Sequence, residues 1–157
     1  MMTAPDTQTA AAATLSALQR ETLRLVAGHI VPASAEFDVP GADDPAIFSE
    51  IVSSIARDRA AILQALDEIN RRAGGRLDSL PPNGREKCLA EFRAASPMLA
   101  GAVEAAVARC YYRDDRVLAS IGMEARPAFP LGYALEQGDW SLLEPVRARG
   151  KVYRDAE

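Results

Sequence analysis

The sequence predicts an all-α protein: a bundle of about five helices carrying an irregular carboxyl-terminal arm rich in proline, glycine and aromatic residues. Three observations predict it. Apolar residues recur at three- and four-residue spacing through most of residues 15–122, the period of helices with one buried face. Two polar–proline pairs, Asp44-Pro45 and Ser96-Pro97, stand where such stripes begin; each couples a capping side chain to a residue preorganised for the first helical turn. After Met123, by contrast, Pro127, Pro130, Gly132, Gly138, Pro145 and Gly150 break nearly every periodic pattern. The chain is therefore read as a frayed terminus (1–14), a helical domain (15–122) and an arm (123–157).

The first helix is expected from Ser16, because Ser16-Ala17-Leu18-Gln19 has capping-box spacing. Leu18, Thr22, Leu25, Val26 and His29 follow at helical intervals, with Pro32 closing the segment. His29 falls in the last turn, where a capping or core-edge histidine suits the helix dipole. Residues 31–44 read as a Pro/Gly/Asp loop. From Asp44-Pro45, the stripe Ile47, Ile51, Ile55, Ile62, Leu66 and Ile69 predicts a single 28-residue helix, stopped by Gly74-Gly75. A third helix is expected over residues 82–95, with Cys88, Leu89 and Phe92 inward and Leu80 tucked in ahead of it. A fourth runs from Ser96-Pro97 to about Arg113, burying Leu99, Val103, Val107, Cys110 and Tyr111. Its small residues, Gly101, Ala102, Ala105, Ala106 and Ala108, would admit a neighbouring helix closely. Asp114 or Asp115 caps a short fifth helix ending at Gly122, and a turn or two is expected around Ser141–Ala148.

Composition narrows the function. A net charge of −4 lacks the basic field of a nucleic-acid binder. No run of about 18 apolar residues exists to span a membrane. With one His and two Cys, metal sites built from those ligands fail on numbers. Cys88 and Cys110 fall about five residues, roughly 7 Å of helix rise, out of register on neighbouring helices, so buried free thiols are expected. The acidic pairs Asp43-Asp44, Asp67-Glu68 and Asp114-Asp115 read as caps and solvated faces, since adjacent helical residues diverge by about 100°. No catalytic, cofactor-binding or metal-binding residue is therefore named in this chain.

The distinctive material is carboxyl-terminal. Six of the nine aromatics (Tyr111, Tyr112, Phe129, Tyr133, Trp140 and Tyr153) lie in residues 111–157, so this stretch must bury them on its own bundle or on a partner. Trp, Tyr and Arg dominate interface hot spots. Tyr111, Tyr112, Arg126, Phe129, Tyr133, Trp140 and Arg147 are the expected partner-binding anchors. Arg113, Arg116 and Arg149 are expected at the rim, or paired with Asp114 and Asp115.

At these residues the chain resembles the gluconate 2-dehydrogenase subunit 3 family, the small or gamma subunits that accompany FAD-dependent dehydrogenases of the glucose-methanol-choline type. The resemblance covers about Leu15 to Tyr153. It rests on the first helix running into Ile30-Val31-Pro32, the loop and long helix after it, Tyr111-Tyr112, Arg126-Pro127 with Pro130-Leu131-Gly132, and Gly138-Asp139-Trp140-Ser141-Leu142-Leu143. It implies a non-catalytic subunit that stabilises or matures a sugar or alcohol dehydrogenase. FAD would sit in the large subunit, and a cytochrome subunit often accepts the electrons. Family members with a twin-arginine leader support export. Residues 1–14 contain no Lys, Arg or apolar core segment and match neither that leader nor a secretory signal. The expectation is a cytoplasmic chain, or a periplasmic one carried out by an exported partner. Two other readings stay open: a homo-oligomeric structural or regulatory module with its arm swapped between subunits, and a stand-alone enzyme with a concave polar pocket.

Overall fold

A computed structural model describes residues 15–127, 129–133 and 137–151. The expectations for residues 1–14 and for Tyr153 lie outside the described residues. The protein is all-α. Seven α-helices are present among the described residues: α1 (Ala17–Ile30), α2 (Pro45–Ser54), α3 (Arg59–Arg72), α4 (Pro82–Ala95), α5 (Pro97–Tyr111), α6 (Asp115–Ser120) and α7 (Glu144–Arg149). Short 3-10 turns occupy Leu77–Ser79 and Trp140–Leu143. The chain divides into two compact units, one ending at Ala125 and the other starting at Arg126.

In the first unit, α3 packs chiefly against α5, α1 and α4, and α2 packs on α5. Ile62, Leu66 and Ile69 of α3 meet Leu23, Ile47, Ile51, Val103 and Val107 in one buried cluster. Each such side chain gains about 1.5–3 kcal/mol on leaving water. Among the described residues, Asn70 and Thr22 are buried polar residues. Asn70 Oδ1 accepts from the Thr22 hydroxyl at 2.9 Å and from the Leu77 amide at 3.1 Å, which fixes the turn after α3 to α1.

Local chemistry sets the helix ends. Ser16 and Gln19 form the reciprocal capping box, and the Asp44 carboxylate accepts from the Ala46 and Ile47 amides. After α3, Gly75 N–H donates to Asn70 O and Gly74 N–H to Arg71 O, with Gly74 at φ 78° and Gly75 at φ 121°. These two hydrogen bonds close the helix through a backbone conformation that glycine adopts at little cost. α4 coincides with residues 82–95, with Cys88, Leu89 and Phe92 buried. Asp114 caps α6.

Several expectations are corrected. The 28-residue helix is two helices, separated by a turn at 55–58. The Ser53 and Ser54 hydroxyls donate to the Ser49 and Ile51 carbonyls, which competes with the helical ladder. Asp58 does not cap α3; its carboxylate instead accepts from Arg109 on α5 at 3.0 Å. Ahead of α4, Leu80 packs half-buried against the core as expected, and Leu77 is fully buried as well. On α5, Leu99 is only half-buried against the core, with Ala100 beside it buried, and Ser96 makes no side-chain cap bond. Gly101 and Ala105 are exposed, so the small-residue face does not seat a helix there. Leu23, on no expected stripe, is buried, while His29 is exposed in the last turn of α1. Cys88 and Cys110 are buried free thiols. Burial raises the Cys88 thiol pKa, and Cys110 Sγ lies 3.0 Å from Ser54 Oγ.

Residues 31–44 fold into a tight structure. Ser34 and Val39 exchange backbone hydrogen bonds around a four-residue turn, with Asp38 at φ 50°. Behind it, Gly41 lies so close to its surroundings that a Cβ there would sit 2.9 Å from Ala33 N.

Candidate partner interface

The seven expected anchors fall into different environments. Tyr111, in the last turn of α5, is only 4% exposed. Its hydroxyl donates to the Pro40 carbonyl at 3.2 Å, and burial raises its pKa. Tyr111 therefore ties the 33–40 turn to α5 and offers no free surface. Tyr112, one residue on, meets the Tyr111 ring edge-to-face at 5.3 Å and is more than half exposed.

Arg126 and Tyr133 hold each other. The Arg126 guanidinium donates to the Gly132 carbonyl at 2.6 Å and lies 5.1 Å from the centre of the Tyr133 ring. The Tyr133 hydroxyl donates to the Arg126 carbonyl at 2.6 Å. Hydrogen bonds and a cation–π contact thus close the segment from both sides. Between these residues, Phe129 is 87% and Leu131 81% exposed. The Phe129–Pro130 peptide is cis.

Further along, the Asp139 carboxylate accepts from the Ser141 amide, starting the 3-10 turn that leads into α7. Trp140 donates through Nε1 to Gln137 Oε1 at 3.4 Å and stays exposed. Arg147 pairs with Glu144 one helical turn back, at 2.7 Å. Leu142 and Val146 on the same stretch are also exposed. Among the described residues of this unit none is buried, and Arg126 alone is of intermediate exposure. The large apolar side chains among these described residues are therefore exposed.

The expected rim arginines are largely occupied. Arg113 faces Glu50 at 3.6 Å. Arg116 bonds both Asp114, as expected, and Asp44. Hydrogen bonding to Arg116 holds both carboxyl groups below the usual Asp value.

Sequence reasoning passed over Phe37, which projects from the 34–39 turn 65% exposed. That turn and α6 border an open groove of about 820 Å³, lined by Phe37, Val39, Pro40, Arg116 and Ala119 among others. The available signal was a lone aromatic in a Pro/Gly/Asp loop. Leu131, Leu142 and Val146 are exposed as well and were not singled out, because aliphatic side chains in an irregular segment carry no periodicity to mark them. Among the described residues, no group of three or more His, Cys, Asp or Glu is placed to hold a metal ion. No helix among them is long and apolar enough to cross a membrane. Compared with protein-family models, curated proteins and solved structures, the chain finds no match in any of the three.

Proposed function

We propose that this chain is a non-catalytic small subunit that binds, and by binding stabilises, the large subunit of an FAD-dependent dehydrogenase of the glucose-methanol-choline type. One observation carries the proposal: the unit from Arg126 onward exposes Phe129, Leu131, Trp140, Leu142 and Val146 on a framework organised by its own hydrogen bonds. Apolar surface held in this way marks a site of protein contact. The resemblance of the Tyr111-Tyr112, Arg126-Pro127 and Gly138–Leu143 blocks to the subunit 3 family supplies the class of partner. The mechanism is thermodynamic. A protein that binds only the folded, flavin-loaded large subunit stabilises that state by mass action. FAD and the substrate pocket belong to the partner, and a cytochrome subunit completes the assembly where electrons leave it.

The test is co-expression with a flavin dehydrogenase large subunit encoded beside this chain, followed by affinity capture. The proposal predicts a stoichiometric complex that survives gel filtration. Absence of such a neighbouring gene, or turnover by the purified chain alone, contradicts it.

A further inference from the structure

We infer that Phe129 and Leu131 are the inserting contacts of the arm. Arg126 and Tyr133 are positioning residues that present them, and the receiving surface is an uncharged apolar cleft on a different protein. The inference rests on the proposed subunit role and deepens it.

Exposure separates the two kinds of residue. Arg126 and Tyr133 were both expected to touch the partner, yet both are engaged inside the 126–133 segment. The side chains they enclose, Phe129 and Leu131, are over four-fifths exposed and gain most from burial. An apolar side chain on a closed loop loses less conformational freedom on docking than one on an open chain, so the closure itself contributes affinity.

The occupant follows from area, shape and charge. Phe129, Leu131, Trp140, Leu142 and Val146 together expose on the order of 700 Å² of apolar residue surface, close to one side of a standard interface. Two residues so exposed form a knob, and a knob requires a hollow. The subunit role proposed above makes the occupant the large subunit, offering a concave apolar site; a two-fold contact with a second copy, which also buries such a patch, is the competing outcome of the test. The unit from Arg126 to Glu157 carries five Lys or Arg against five Asp or Glu and so is neutral, while the whole chain is −4. A neutral arm with exposed aromatic and aliphatic side chains is recognised by burial and not by charge steering.

The experiment uses the full-length chain and the co-expressed large subunit, with Kd measured by calorimetry. The double variant Phe129→Ala/Leu131→Ala is expected to weaken binding about 100-fold, the scale of a hot-spot pair. Arg149→Ala is expected to change it less than about threefold. Affinity should vary less than about threefold between 0.05 M and 0.5 M salt, roughly the range over which exposed charge pairs are screened. Tyr133→Phe keeps the ring and removes the bond to Arg126. It is expected to weaken binding about tenfold and to lower the NMR order parameter of the Gly132 amide, with the bundle's melting temperature unchanged.

Wild-type binding with no loss in the double variant overturns this inference and leaves the subunit role standing. No binding by the wild-type chain overturns both. Protection of the Leu131 methyls in the isolated chain places the knob on the chain's own bundle and overturns the inference. A homodimer abolished by the double variant makes a second copy the occupant and also overturns it.

Discussion

Arg116 and Asp44, 72 residues apart, are joined at 2.9 Å, and the same guanidinium also holds Asp114. Both carboxylates are helix N-caps, so one side chain locks the starts of α2 and α6 together. Because hydrogen bonding to Arg116 lowers both Asp pKa values, their contribution is complete above the ordinary Asp value of 3.8. It is lost as pH falls below that value through the lowered folded-state values. Arg116→Met is expected to destabilise the protein at neutral pH. In urea titrations the gap between wild type and variant should close as pH is lowered from about 5 to about 2. A gap that stays constant with pH contradicts the clamp.

Asn70 makes a second long-range tie. Replacing it with Ala leaves the buried Leu77 amide without its acceptor, at a cost of about 2–3 kcal/mol. Thr22→Val removes one hydroxyl while Asn70 keeps its bond from Leu77, so about 1 kcal/mol is expected. Denaturant unfolding should rank the two variants in that order.

Three glycines separate steric from conformational demands. Gly41→Ala should destabilise by about 1–3 kcal/mol, because its Cβ would meet the Ala33 backbone nitrogen. Gly74→Ala meets no atom and carries only the left-handed penalty of about 1–2 kcal/mol. Gly101→Ala lies exposed within α5 with nothing near it and should stabilise by up to about 1 kcal/mol. Melting curves of the three variants check the set. A destabilising Gly101→Ala would restore the close helix approach expected at that face.

Much of this architecture is legible in residue order because it is local. Asp44-Pro45, Gly74-Gly75 and Asp114 mark helix ends through chemistry contained within a few positions. The break at 55–58 is hidden because Ile51, Ile55 and Ile62 keep one apolar stripe across it. The contact that occupies Asp58 comes from Arg109, 51 residues away, and no local pattern encodes it. The arm divides in the same way. Its aromatic clustering is visible in composition, whereas the pairing of Arg126 with Tyr133 depends on how the chain doubles back between them. Tyr111 shows the same limit: it is buried as its place on the α5 stripe predicts, but a tyrosine at a helix end can serve a core or a partner, and its bond to the Pro40 carbonyl 71 residues earlier is not encoded locally.

Tyr111 accordingly separates folding from docking. Tyr111→Phe removes the bond to Pro40 and should cost about 1 kcal/mol of stability, read as a lower melting temperature. Its affinity for the large subunit should be unchanged. Weakened binding at preserved stability would instead return Tyr111 to the interface.

The proposed role, in which the arm holds a flavoprotein in its cofactor-loaded state, is read out by the FAD content of the large subunit, measured by flavin absorbance after co-expression and purification. With the wild-type chain, occupancy should rise well above that of the large subunit expressed alone. With Tyr133→Ala/Trp140→Ala in the full-length chain, it should fall back to that level. Occupancy and complex formation untouched by the double variant would contradict the account.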